Sequence, residues 1–171
     1  MSAVEQIRAS IPEPARDIRI NLQSVLQSGV LTVAQKWGVA IATAANAKDQ
    51  ALVDALVTDA LAEVSPAVID DAFAAASLMA MNNVYYRFRA TVGKESYASM
   101  PARLRMARLA APATNKLDFE LFCLAVSAVN GCATCVAAHE AAVTKGGLSE
   151  ERVHDAVRVA AVAAAACHAF L

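Results

Sequence analysis

Cys132 and Cys135 lie three residues apart, His139 follows four residues later, and Glu120 stands upstream on the preceding segment. A Cys-x-x-Cys pair at a helix start suits thiol–disulfide exchange. First-turn N–H groups and the helix dipole stabilise a thiolate, lowering the free-thiol pKa of ~8.5. Three-residue spacing also lets the second sulfur close a disulfide or resolve a sulfenic acid. On that argument Cys132, nearest the helix start, is the more acidic thiol. The histidine argues for the other one: Cys135 and His139 share a helical face, where an imidazole can accept the thiol proton. Glu120 would hold His139 in the useful tautomer once the Asn130–Gly131 turn folds the two helices together. These residues alone leave open which cysteine attacks first.

A closed zinc site is the rival chemistry. It needs about four protein ligands, and Cys132, Cys135, His139 and Glu120 are the candidates close in sequence. Thiolates at i and i+3 on one helix are an unusual zinc geometry, and no metal is expected. Cys123 and Cys167 read as small apolar residues buried in apolar helices, and His154 as a surface side chain. Trp37, Tyr85, Tyr86 and Phe88 read as core or subunit contacts, with Arg87 and Arg89 on a solvated helix end. There is no glycine-rich phosphate loop, dinucleotide fingerprint or Ser–His–Asp pattern. Electrons must then come from a partner or a small dithiol.

The elements that position these residues read as helices throughout. Pro12 to Asp17 starts a helix that carries Ile18, Ile20, Leu22, Val25 and Leu26 and stops at Ser28-Gly29. Thr32 caps the next, whose apolar face is Val33, Trp37, Val39, Ala40 and Ile41. Residues of about 48–62 form a third, with Leu52, Leu56 and Leu61 inward and Asp54 and Asp59 outward. Ser65-Pro66 opens a long helix through Ile69, Phe73, Leu78 and Met81 towards Phe88, bent at Asn82-Asn83 and ended at Gly93. Residues 95–100 read as a hinge, and 101–109 as a short helix with Leu104 and Met106 inward. A helix from close to Asp118 carries Phe119, Phe122, Cys123, Val126 and Val129 to the Asn130-Gly131 stop. Another runs from Cys132 to about Thr144. Ser149 opens the last, through Val153, Val157, Ala160 and Phe170. No stretch alternates convincingly, so the fold class is all-α.

Shifting the chain on itself by 84 residues pairs Asn46 with Asn130, Ser65 with Ser149 and Asp71 with Asp155 without a gap. Helix punctuation then coincides, which suggests one domain over 1–171 built as an internal duplication, with halves of about 1–94 and 95–171. Cys132 then faces Lys48 and His139 faces Ala55, so the second copy alone would carry the chemistry.

Composition sets the outer limits. The 171 residues have a net charge of −1, with 57% apolar and 18% charged side chains. The balance points to neither nucleic acid nor an anionic membrane, and the apolar surplus to helical faces buried between subunits. The N-terminus lacks a basic-then-apolar signal pattern, and no apolar run reaches the ~20 residues needed to span a bilayer. A cytoplasmic protein is expected, where a close cysteine pair calls for a catalytic or metal explanation.

Glu120…Cys132-Ala133-Thr134-Cys135…His139 resembles the alkyl hydroperoxide reductase AhpD family, within the carboxymuconolactone decarboxylase-like superfamily. The pattern E-x11-C-x2-C-x3-H is met at every named position, and PEPARDIRINLQS, Trp37-Gly38 and MNNVYYRFR are also similar. The resemblance implies an all-helical subunit that assembles as a homotrimer. It also implies an antioxidant peroxidase and disulfide reductase, re-reduced by dihydrolipoyl groups on a lipoylated 2-oxoacid dehydrogenase component. The electron acceptor it implies is a peroxiredoxin, the C subunit of the alkyl hydroperoxide reductase system. By the motif, Cys132 and Cys135 are the redox pair, and Glu120 with His139 relays the proton that activates Cys135. Thr134 departs from relatives with a histidine there, which predicts a low direct peroxidase rate. A decarboxylase or lactone-processing enzyme on the same scaffold, and a zinc-binding module, are the alternatives.

Overall fold

The computed structural model describes residues 1–169, and every regular element among them is helical. Helices α3 (Val33–Ala47) and α8 (Lys116–Val129) are the most deeply buried and pack against each other. Thr32 starts α3 with a capping box: its hydroxyl accepts the Gln35 N–H, and the Gln35 side chain accepts the Thr32 N–H. Asn115 caps α8 by accepting the Asp118 N–H at 2.8 Å, so this helix begins two residues before the expected start. Gly38 is what lets the pair approach, because a Cβ there would collide with the Phe122 ring. Phe119 and Phe122 are fully buried at this contact, and truncating such a side chain costs about 3–5 kcal/mol.

The other helices wrap this pair. The chain forms α1 (Ala3–Ser10), a single 3-10 turn (Glu13–Ala15), α2 (Arg16–Gln27), α4 (Gln50–Ala60) and the 27-residue α5 (Pro66–Val92). The short α6 (Glu95–Ser99) and α7 (Ala107–Ala110) link to α8, and α9 (Ala133–Lys145) and α10 (Glu150–Cys167) complete the fold. Against α3 pack α4, α5, α8 and α10; against α8 pack α5, α9 and α10.

Several sequence expectations need correction. A helix, α1, precedes the expected first one. Ser2 caps it, and Asp59 of α4 accepts the N–H groups of Ala3 and Val4, each at 2.9 Å. Asp59 therefore turns towards another helix rather than to solvent alone. Residues 101–106 form no helix, since Arg103 takes a left-handed backbone conformation (φ +51°) that breaks the i→i−4 ladder. Leu104 and Met106 are only half-buried. The expected hinge at 95–100 is mostly the exposed helix α6. The long helix runs through Asn82-Asn83 without interruption, and the Asn83 amide donates to Ser127 on another helix.

The buried faces are narrower than the apolar periodicity suggests: Ile20, Val33, Leu61, Phe73, Val129 and Val157 are exposed. Alanine makes the buried face of these helices narrow, so larger apolar residues one position off it reach the surface. Phe170 lies outside the described residues.

Candidate functional site

The Asn130–Gly131 turn builds the site. Helix α8 ends at Val129, and Asn130 stays right-handed. Gly131 takes the left-handed conformation (φ +67°), so it is the residue that reverses the chain. Cys132 is then the N-cap of α9, its N–H donating to the Ser127 carbonyl at 3.1 Å and its carbonyl accepting from Val136 at 2.9 Å. Cys135 falls at the third helical position. The two sulfurs are bonded to each other, with Cα atoms 5.3 Å apart, so the structure is of the oxidised pair. Cys132 is sealed from solvent, whereas Cys135 keeps 7% exposure.

One turn beyond Cys135, His139 meets Glu120 across the α8–α9 contact, with Nδ1 2.6 Å from a Glu120 carboxylate oxygen. Both side chains are mostly buried, where such a pair is screened little by water. With Nδ1 engaged, Nε2 is the ring nitrogen left for chemistry. His139 and Cys135 line one side of a cavity of about 350 Å³, with Thr134 at its edge. Asn82 and Tyr86 of α5, and Met106 and Leu109 from the stretch around α7, close the other side. Glu120 does not reach this cavity. It lines a separate surface hollow beside Lys116 and Lys145, so of the pair only His139 lines the cavity that Cys135 also lines.

A polar network holds the turn from behind. The side chains of Asn46 and Asn130 exchange two hydrogen bonds, at 2.9 and 3.1 Å. Asn130 also donates to Asn83 at 2.9 Å, and Asn83 donates to Ser127 at 2.9 Å. Arg87 donates to the Asn130 carbonyl at 2.6 Å. The turn leading into Cys132 is thereby tied to both α3 and α5.

The other cysteines are not poised to react. Burial, reinforced by the charges of Glu120 and Asp71, pushes the Cys123 thiol far above its ordinary range. Burial, with the Asp49 charge adding, raises Cys167 to about 12. Both are thus held as neutral thiols, which are poor nucleophiles. Cys123 is buried as expected, while Cys167 is half-exposed. Among the described residues, no group of three or more His, Cys, Asp or Glu side chains could hold a metal ion.

All four residues singled out in the sequence are thus brought together. Asn82, Tyr86, Met106 and Leu109 were missed as cavity residues. The i, i+4 spacing of Asn82 and Tyr86, two polar-tipped side chains on one helical face, was the available signal. Asn130 proves to be more than a helix stop, since its side chain joins three segments.

Fold and site define an all-helical protein with a Cys-x-x-Cys disulfide backed by a histidine–carboxylate pair. The Carboxymuconolactone decarboxylase family matches residues 95–170. The chain is 66% identical over 166 residues to "Alkyl hydroperoxide reductase AhpD" of Anaeromyxobacter dehalogenans (strain 2CP-C), covering 97% of this chain and 89% of the relative. It is 42% identical over 164 residues to the protein of the same name from Azorhizobium caulinodans, covering 96% and 91%. The protein so named from Brucella canis is 42% identical over 160 residues, covering 94% and 91%. The chain belongs to the alkyl hydroperoxide reductase AhpD family. No helix among the described residues is long and apolar enough to cross a membrane.

Proposed function

We propose that this protein is an antioxidant thiol–disulfide oxidoreductase that reduces organic hydroperoxides, a partner peroxiredoxin, or both, through Cys132 and Cys135. The observation that carries the reading is a Cys-x-x-Cys disulfide whose more exposed sulfur shares a cavity with a carboxylate-paired histidine.

In the reduced protein, Glu120 accepts the Nδ1–H of His139, leaving Nε2 to take the Cys135 thiol proton. The Cys135 thiolate attacks the outer peroxide oxygen: an S–O bond forms, the O–O bond breaks, and the alkoxide leaves as alcohol after taking a proton. With that step two electrons have passed to the peroxide; Cys132 then attacks the sulfenic sulfur, water departs, and the disulfide closes. Re-reduction runs through the same sulfur. A dihydrolipoyl thiolate attacks Cys135 and the Cys132 thiolate leaves into the helix N-terminus; the second lipoyl thiol then attacks the mixed disulfide, closes the lipoyl ring and releases Cys135. Steric access supports this order, because Cys132 is fully covered and Cys135 is not.

The electron source in this reading is a lipoylated 2-oxoacid dehydrogenase component, and the acceptor a peroxiredoxin of the alkyl hydroperoxide reductase C type. A cytoplasmic homotrimer is part of the same proposal, supported by exposed Phe73, Val84, Phe88 and Met100. A sedimentation mass equal to one 17.9 kDa chain would overturn the trimer. So is a single domain over 1–171 that arose by internal duplication. To test the catalytic reading, purified protein is given reduced lipoamide and cumene hydroperoxide. Turnover that disappears in Cys135→Ser supports it, and turnover unchanged in that variant contradicts it.

A further inference from the structure

Asn82 is an anomaly in a well-satisfied interior. Only 4% of it is exposed, and its Oδ1 is sealed from solvent without a hydrogen-bond partner among the described residues. Its neighbour Asn83 is the opposite case, donating to Ser127 and accepting from Asn130 at 2.9 Å each. A buried amide without partners opposes folding, and a leucine of similar shape would serve the packing better. The Nδ2 end, also without a partner among the described residues, is the half of the amide left to the cavity that Asn82 lines. That cavity is also lined by Cys135 and His139.

We infer that Asn82 is a substrate-binding residue that orients a neutral organic hydroperoxide towards Cys135. The inference rests on the peroxidase reading above and adds to it a specific contact. The remaining lining explains the ligand class: Tyr86, Met106 and Leu109 are largely apolar, and no Lys, Arg, Asp or Glu side chain lines the space. A volume of about 350 Å³ suits a small molecule with a short apolar body. A hydroperoxide places two oxygens in it. The Asn82 amide donates to the inner oxygen, the atom that receives the electron pair as the O–O bond breaks, and the outer oxygen is left facing Cys135. The S–O bond then forms, and the proton taken by His139 passes to the departing alkoxide to give the alcohol. A donor aimed at developing charge in a site with little water acts mainly on the transition state.

The test compares the two half-reactions in single turnover. Reduced protein is mixed with cumene hydroperoxide and the loss of free thiols followed; oxidised protein is mixed with dihydrolipoamide and their return followed. In Asn82→Leu the oxidation rate constant should fall about tenfold or more. Re-reduction should change less than about twofold, because a thiol is a weak hydrogen-bonding group, and the melting temperature should hold or rise. Equal oxidation rates in wild type and variant would overturn the role of Asn82 while leaving the peroxidase reading intact. Equal losses in both half-reactions would mean a distorted cavity and would also overturn it. A wild type that hydroperoxide does not oxidise would overturn both. Should Asn82→Leu fail to fold, Asn82→Ala carries the same comparison, with the same selective loss expected.

Discussion

The helix ranges of the run α3–α4–α5 and the run α8–α9–α10 line up at an offset of 84 residues, yet only the second run holds cysteine. Asn46 and Asn130 mark the correspondence by pairing with each other. Asp71 of the first run accepts the N–H groups of Ala113 and Thr114, both at 2.8 Å, from the loop before α8. Asp155 of the second accepts the Val30 N–H at 2.9 Å from the loop before α3. Each run thus anchors the entry loop of the other.

The turns between helices differ where the chemistry begins. In the first run Asp49 caps α4, its side chain accepting the Leu52 N–H at 3.0 Å. In the second the cap is Cys132, which makes no such bond. Helix α9 forgoes a capping interaction worth about 1 kcal/mol and gains a sulfur at its electropositive end. The positions matching Glu120, Cys132, Cys135 and His139 are Lys36, Lys48, Ala51 and Ala55. The residues singled out for chemistry thus lie in the second run alone.

Substitutions can break that contrast. The largest effect is expected from Cys135→Ser or Cys132→Ser, either of which should lower peroxide turnover by roughly three orders of magnitude or more, in a steady-state lipoamide-coupled assay. Next, His139→Gln should lower the rate of thiol oxidation by roughly 10²-fold or more, as expected for loss of a general base. Glu120→Gln should lose less, since it removes the orienting partner and not the base.

The structural half of the comparison predicts stability effects. Burial pushes the Asp71 carboxyl up, but the Thr114 hydroxyl, two N–H groups and Arg108 outweigh it, and the net value lies below the ordinary one. A carboxyl depressed in the folded state stabilises above its unfolded pKa and loses that contribution as pH falls through its folded pKa. Asp71→Asn should thus cost about 2–4 kcal/mol at neutral pH, measured by urea unfolding. The deficit should shrink only below about pH 4. Asp155→Asn, with Val30 and Arg158 as partners, should cost about 1–2 kcal/mol.

Much of this was readable in advance because the punctuation is local. Thr32, Ser149 and the Asn130–Gly131 turn act within a few residues of themselves, so helix ends and the placement of Cys132 followed from spacing. The same holds for His139 and Glu120 once the turn is granted. What escaped depends on distant partners. Helix α1, capped by Ser2, is also held at its start by Asp59, about 55 residues away, and Asn82 gains its meaning from a cavity completed by Met106 and Leu109. The missing helix at 101–106 turns on the backbone conformation of Arg103, which no residue type demanded. Alanine-rich faces blurred the rest, since Val33 and Ile20 satisfy an apolar period while lying outside the buried stripe.

Cys135, backed by His139 and Glu120, is the sulfur proposed to meet the peroxide. Reduced Cys132→Ser and Cys135→Ser proteins, each treated with one equivalent of cumene hydroperoxide and a sulfenic-acid-trapping dione, can be read by peptide mass spectrometry. The account predicts a trapped adduct on Cys135 in the first variant and none on Cys132 in the second. An adduct on Cys132 with none on Cys135 would contradict it.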